Sequence, residues 1–466
     1  RAGPVHRAGG RGAGPPGRWS PMMWMLAFRT VRAHLGSYLA SAAVMTAGTA
    51  LLTAFASLLE TGLETGHSSG FLIMLPAILG GWTVAIVAFG VVSTVSLTIQ
   101  HREQELALLR SIAATPRQIR QSVVLETVIV ALPAVVAGLL PGVALGAVVL
   151  GRLVDGGLVG ASTGLSAGWL CVAVGAGTSL AAAVAAALIS SRRAASIPPV
   201  RALGEASPSA TRLLGRARAV GGLGLLVVGL SLATGTLFME NGPLLSSTAG
   251  PAGVAVAVGL ALLSPLAVTP VGWFARARLG ATTRLAARNI HVRARHSAGV
   301  ASPLILLVGI AAGTLYMQST EDGVHRGPTV AGDVSGQLAP VNYLIVTMII
   351  GFSAIVVINT LVAATRRRRR EFGLLRLSAA TRGQVLAMVT VEAAVTAGIA
   401  VVLGTVAAAA TTVPYSLVKT GSPIASGPAW MYLAIVGGAF LLVMLATVPT
   451  TVGALRTRPI DALSAA

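Results

Sequence analysis

Ten long apolar runs, separated by short polar segments, dominate the hydrophobic pattern of this 466-residue chain. They lie at roughly 38–59, 71–98, 122–150, 168–190, 219–239, 251–272, 297–317, 341–364, 385–412 and 429–453. A helix crossing ~30 Å of hydrocarbon needs about 20 apolar residues, and each run supplies them. Gly and Ala are frequent within the runs, which suits helices that approach one another closely in lipid. The pattern predicts an all-α, polytopic membrane protein with about ten transmembrane helices.

Composition agrees: 54% of the residues are apolar and only 10% charged, values foreign to a soluble domain of this length. The formal charge of +20 would suggest a nucleic-acid partner if the arginines formed one stripe with interleaved aromatics. Instead, 31 of the 34 Lys and Arg residues fall in alternate loops. The other loops hold Arg152, Arg326 and Lys419, together with Glu60, Glu64, Asp155, Glu240, Glu321, Asp322 and Asp333. By the positive-inside rule both termini are cytosolic. The arginines then report orientation and face anionic lipid, and no nucleic acid is implied.

Between the apolar runs one segment occurs twice. Glu105-Leu-Ala-Leu-Leu-Arg-Ser-Ile-Ala-Ala-Thr-Pro-Arg-Gln118 returns 266 positions later as Glu371-Phe-Gly-Leu-Leu-Arg-Leu-Ser-Ala-Ala-Thr-Arg-Gly-Gln384. In the first copy Leu108, Leu109 and Ile112 follow Glu105 at helical spacing; Leu374 and Leu375 recur after Glu371. Each copy should form a short helix with one apolar edge and a charged remainder. Thr115 and Thr381 stop it. With Gln118 and Gln384 three residues on, each forms a Thr-x-x-Gln capping box, in which the hydroxyl accepts from the Gln amide and the Gln side chain reaches back. Pro116 reinforces the first restart. The expected product is a short helix across the cytosolic mouth, followed by a sharp corner into span three or span nine.

The match extends to Glu126 and Glu392, about two turns into those spans. A carboxylate at that depth is costly, which makes it a functional candidate; pairing with an Arg of the adjacent corner, or snorkelling to the interface, is the plain structural alternative. Arg110 and Arg376 are candidates for contact with a partner or ordinary positive-inside residues. The five arginines at 366–370 read as an anchor on lipid headgroups. Pro133 and Pro141 in span three have no counterparts in span nine, where Ile399 and Ala407 stand, so a kink is expected in one half only.

Each half also opens and closes alike. Leu26-Ala-Phe-Arg-Thr-Val-Arg-Ala-His34 and Leu285-Ala-Ala-Arg-Asn-Ile-His-Val-Arg293 precede spans one and seven, and suit helices in the headgroup layer. Pro199-Val-Arg-Ala-Leu203 and Pro459-Ile-Asp-Ala-Leu463 follow spans four and ten. The organisation expected is a disordered segment at 1–21, a first four-span repeat at 22–205, a linking helix pair at 206–280 and a second four-span repeat at 281–466. Four is even, so the repeats are parallel, related by an axis along the membrane normal. Residues 1–21 lack an apolar period and resemble no cleavable signal peptide; Met22 or Met23 is a candidate natural start.

Catalytic chemistry finds little support. Lys419 is the only lysine, so no Gly-x-x-x-x-Gly-Lys phosphate cradle can form. Cys171 is the only cysteine, and the scattered histidines make no His-Glu-x-x-His. Neither an enzyme, a metal site nor a cofactor is expected.

The signature Glu-x-x-Leu-Leu-Arg-x-x-x-Ala-Thr-x-x-Gln, present twice, together with the Arg-containing lead-in and the Pro-x-x-Ala-Leu exit, resembles the FtsX-like permeases of ABC transporters. The resemblance covers Met22 to the C-terminus, and the layout is similar to ten-span bacitracin-resistance permeases. It implies a bacterial plasma-membrane subunit whose repeated cytosolic helices, 105–115 and 371–381, contact a separate ATPase dimer, one permease to two ATPases. ATP hydrolysis in that partner would then drive export or extraction of a lipid, peptide or antibiotic, with antimicrobial-peptide resistance a candidate role. A sensor kinase or lipoprotein is a candidate further partner. Relatives commonly carry a large outer domain; here 60–70 and 318–340 are too short for one. Two other functions compete: a mechanotransmission or sensing component driven by the same kind of ATPase, and a proton-coupled secondary transporter using Glu126 and Glu392.

Overall fold

The computed structural model describes residues 28–32, 35–65, 70–100, 102, 105–106, 108, 115–195, 215–274, 286, 289–290, 294–324 and 334–456. Ten helices long and apolar enough to cross a membrane are found among them. They are α1 (Leu35–Thr65), α2 (Gly70–Gln100), α3 (Pro116–Asp155), α4 (Trp169–Ala195), α5 (Arg216–Thr236), α6 (Ser246–Phe274), α7 (Ala294–Val324), α8 (Val334–Arg367), α10 (Arg382–Thr420) and α11 (Ala429–Arg456). Between α8 and α10 lies the nine-residue α9, Arg369–Leu377. No strand occurs among the described residues. That is the expected outcome for chain in hydrocarbon, where each helix satisfies its own backbone groups.

Helices α1–α4 pack on one another, and α7, α8, α10 and α11 form a second group. In the first group, close packing depends on a row of glycines on α3. A Cβ at Gly142 would come within 2.6 Å of Thr53 Cβ and 2.7 Å of the Ala50 carbonyl of α1. Only hydrogen fits there, so the two backbones touch. α5 and α6 pack together, and α6 lies against α7 and α10, so the linking pair belongs by packing to the second group. α5 leaves most of its surface outward. The groups meet where Gly48 of α1 and Gly90 of α2 face α8; a Cβ at Gly48 would lie 3.3 Å from Phe352 Cε2, and one at Gly90 2.9 Å from Val356 Cγ2.

The helices extend well into the segments read as outer loops. α1 runs to Thr65 and α2 starts at Gly70, while α7 ends at Val324 and α8 starts at Val334. At this end Glu60 is a structural residue: its carboxylate accepts from the amides of Gly168 (2.8 Å), Leu170 (3.2 Å) and Cys171 (2.9 Å), capping the start of α4. Thr61 accepts from the Ser166 amide (2.9 Å) and Thr320 from the Ser426 amide (3.1 Å), one contact in each group. α3 is helical through both Pro133 and Pro141, and α10 contains its own Pro414. At the positions that match Pro133 and Pro141, α10 carries Ile399 and Ala407. Segment 1–21, both exit motifs and most of the lead-in segments lie outside the described residues; 28–32 is helical, with Arg32 stacked 5.3 Å over Phe28.

Candidate functional site: two arginine-locked corners

Two corners stand at the end of the bundle opposite Glu60. Both restarts are capped as their sequences require. The Thr115 amide donates to Gln118 Oε1 (2.9 Å) and the Gln118 amide to Thr115 Oγ1 (3.3 Å). At the second corner Thr381 donates to Gln384 Oε1 (2.9 Å) and Gln384 to Thr381 Oγ1 (3.2 Å).

Behind each cap an arginine bridges two carboxylates. Arg102 Nε pairs with Glu105 Oε2 at 2.9 Å, and its Nη1 pairs with Glu126 Oε2. Arg368 Nε pairs with Glu371 Oε2 at 3.0 Å, and its Nη1 with Glu392 Oε2 at 2.8 Å. Arg102 and Arg368 are separated by the same 266 positions as the repeated segment. Burial lowers the pKa of each guanidinium, but the groups paired with it, Glu126, Tyr38 and Glu105 in one corner and Glu392 and Glu371 in the other, together outweigh that effect, and both are held above the usual arginine value. Each bridge thus ties the short corner segment to the base of a spanning helix through a desolvated, permanent charge.

The surroundings differ. At the first corner the Tyr38 hydroxyl donates to Glu126 (2.8 Å) and accepts from Arg102 (2.9 Å), while Ser122 donates to Glu126 (3.0 Å). The cavity left there is only 20 Å³. At the second corner Ser297 stands where Tyr38 stands in the first, counted from the lead-in segments, and the cavity is 50 Å³. The Ser297 and Thr447 hydroxyls lining it find no hydrogen-bond partner among the described residues.

α9 shows how the short helix is held. Phe372 is buried among Ala286, Val385, Met388 and Leu455, and stacks under Arg368 at 5.4 Å. Leu375 turns toward the same cluster, whereas Leu374 and Leu377 are 52% and 55% exposed. The single apolar edge expected through Leu374 and Leu375 is therefore split: adjacent residues lie ~100° apart on a helix, and Phe372 decides which side faces inward. At the first corner Leu106 is buried and Leu108 exposed; Leu109, Arg110 and 111–114 lie outside the described residues. Arg376 donates to the Leu455 carbonyl (3.1 Å), capping the end of α11. The expectation that 366–370 is a lipid anchor fails at Arg368, whose side chain is 10% exposed and ion-paired. α8 ends at Arg367, and the bend that follows turns Arg368 inward.

The chain leaves α9 through a Schellman turn: the Ala379 amide donates to the Arg376 carbonyl (3.3 Å) and the Ala380 amide to that of Leu375 (3.0 Å). Ala379 has φ 68°, a left-handed position that favours glycine. Ala379→Gly should therefore stabilise the second corner by about 0.5–1 kcal/mol, read as slower amide exchange at residues 378–381.

The family model of the FtsX-like permease C-terminal domain matches residues 77–199 and 343–459, together just over half of the chain. The chain belongs to the FtsX-like permeases. The two matches begin 266 positions apart, the offset that relates the two corners. Comparison with curated proteins gives no match. Within this permease, Glu126 and Glu392 are now accounted for as the inner ends of the two bridges, the pairing that was one of their two readings. Tyr38, Ser122 and the bridging arginines were missed. Extending the repeat three residues upstream of Glu105 and Glu371 would have found Arg102 and Arg368, since they are aligned; Tyr38 comes from another helix and leaves no such signal.

Proposed function

We propose that this permease is the membrane subunit of an ATP-driven transporter, and that its two corners receive a dimeric ABC-type ATPase and pass its motion to the two four-helix groups. The observation that carries the proposal is the pair of Arg bridges, placed alike in both groups. A push on the short helix of a corner reaches the base of α3 or α10 through a buried ion pair and a capped restart, instead of dissipating in a loop. The interface between the groups suits such an input. It is closed at Gly90 and Phe352, with a 290 Å³ cavity on the corner side and a 560 Å³ cavity on the other. Rocking one group against the other would open either side in turn. A hydrophobic or amphipathic substrate fits these largely apolar walls, and membrane lipid surrounds the bundle. A proton-coupled transporter built on Glu126 and Glu392 would need those carboxylates in a midplane cavity; each instead sits in an ion pair at the end of the bundle.

Co-expression with its ATPase should yield a complex that survives purification and hydrolyses ATP faster than the ATPase alone. Recovery of the permease without ATPase under all detergent conditions would overturn the proposal. The orientation follows from the arginine distribution: Ser378→Cys should react with impermeant maleimide only from the cytosol, and Ser246→Cys only from outside. Labelling of both from one side would contradict it.

A further inference from the structure

The 290 Å³ cavity on the corner side lies between the two groups, with α1 and α2 on one flank and α8 on the other. The seam closes above it where Gly90 meets Val356. α2 and α8 both run toward the corners, so Thr94 and Asn359, four and three residues beyond that contact, stand at one level in facing walls. Both are polar, and neither side chain has a hydrogen-bond partner among the described residues. Thr83 and Thr98 of the same helix α2 return their hydroxyls to the carbonyl four residues back (2.8 and 3.1 Å). Thr94, only 2% exposed, does not, and buried polar groups left this way are uncommon in native structures.

Toward the corners Leu97, Val362 and Ala363 give the walls an apolar belt, and then the mouth turns basic. Arg366 and Arg367, in the last turn of α8, are the charged residues of the lining. Neither has an ion pair or hydrogen bond among the described residues. Arg366 reaches across to α1, where its Nη1 would lie 3.8 Å from a Cβ placed at Gly36. The carboxylates of the corners are engaged elsewhere, Glu371 and Glu392 with Arg368, and Glu105 and Glu126 with Arg102.

We infer that this cavity binds an anionic phospholipid from the leaflet at the corners, its phosphate on Arg366 and Arg367 and its ester carbonyls within reach of Asn359. By the arginine distribution that leaflet is the cytosolic one. Guanidinium groups take phosphate oxygens in bidentate fashion, and basic pockets between spanning helices suit anionic headgroups. Asn359 stands seven residues before Arg366, about 10 Å deeper, a distance that a phosphate, a glycerol unit and an ester carbonyl span. The volume is at the lower limit of ligand sites. It takes the polar part of a lipid and the start of a chain against Leu97 and Val362, while the rest of the chain passes into the bilayer. Because the lining comes from both groups, an occupant bridges the seam across which they would rock. Binding itself does not rest on the transporter reading.

Arginines that met lipid only through the general surface potential would not set Arg366 and Arg367 apart from Arg369 and Arg370, which belong to the same run but not to the lining. Native mass spectrometry of the whole permease, delipidated in neutral detergent and titrated with dioleoylphosphatidylglycerol or dioleoylphosphatidylcholine, counts bound lipids one at a time. One phosphatidylglycerol per chain should bind saturably, about tenfold more tightly than phosphatidylcholine, the scale of one partly screened charge pair. Arg366→Gln with Arg367→Gln should bring it to the phosphatidylcholine level. Arg369→Gln with Arg370→Gln removes equal charge and should keep the preference, and Asn359→Leu should weaken both lipids alike. If the Arg366 and Arg367 variant fails to fold, Ala40→Phe decides: it fills the cavity from α1, leaves every charge in place, and should reduce binding of phosphatidylglycerol. Equal affinity for the two lipids, an equal loss in the two arginine pairs, or unchanged binding in Ala40→Phe would overturn the inference. So would displacement of the lipid by inorganic phosphate at equal concentration, which would make a soluble anion the ligand.

Discussion

Arg368→Met should cost the permease about 3–5 kcal/mol of stability, the penalty for leaving one member of a buried ion pair without its partner. The residue left behind is Glu392, whose side chain is 8% exposed beside a 50 Å³ cavity. Water does not replace a guanidinium there at equal free energy. Glu371, 21% exposed, can be hydrated and adds less. The double substitution Arg368→Met with Glu392→Leu removes both charges and should recover most of the loss, because apolar pairs commonly replace buried ion pairs without penalty. Denaturant titration in mixed micelles measures the cycle, and a coupling energy near zero would show that the bridge holds nothing. Coupling to the ATPase should not recover in the double variant, since the short helix is then untied from α10. At the first corner, Arg102→Met leaves Glu126 with hydrogen bonds from Tyr38 and Ser122, so the cost should lie toward the low end of the same range.

Leu374→Asp together with Leu377→Asp should abolish ATPase binding while leaving the fold intact. Both side chains are more than half exposed on α9, so the free permease loses little when they become charged. Central apolar anchors of an interface are each worth roughly 2 kcal/mol or more, about thirtyfold in affinity. Leu108→Asp should act likewise at the first corner. Phe372→Asp is the contrasting control: it buries a carboxylate in the cluster formed with Met388 and Leu455 and should reduce yield of the folded permease. Retention of ATPase by the Leu374 and Leu377 double variant at wild-type affinity would place the docking surface elsewhere.

These two experiments divide along the line between what periodicity records and what packing decides. The ten spans, the Thr-x-x-Gln caps and the carboxylates Glu126 and Glu392 were legible because each is a local pattern: an apolar run, a fixed spacing, a charge inside that run. Arg368 was not, because it is one of five consecutive arginines and only the end of α8 at Arg367 turns it inward. Leu374 and Leu375 are chemically the same; the burial of Phe372 assigns one outward and the other inward. Glu60 reads as an outer-loop acid because the amides it caps, at the start of α4, lie more than 100 residues away along the chain. The cavity between Asn359 and Arg366 draws on α1, α2 and α8, a meeting that no spacing along the chain announces.

The central claim is that one chain, carrying both corners, serves an ATPase dimer by itself. The two corners differ in detail, with Pro116 against Arg382 after the caps and Tyr38 against Ser297 behind the bridges, so they need not be interchangeable. Native mass spectrometry of the complex, released from nanodiscs with nucleotide bound, tests the claim most directly. The expected mass is that of one permease with two ATPase subunits, and Leu374→Asp with Leu377→Asp should reduce the bound ATPase without creating permease dimers. An obligatory assembly of two permeases with two ATPases, active only while the permeases remain joined, would contradict it.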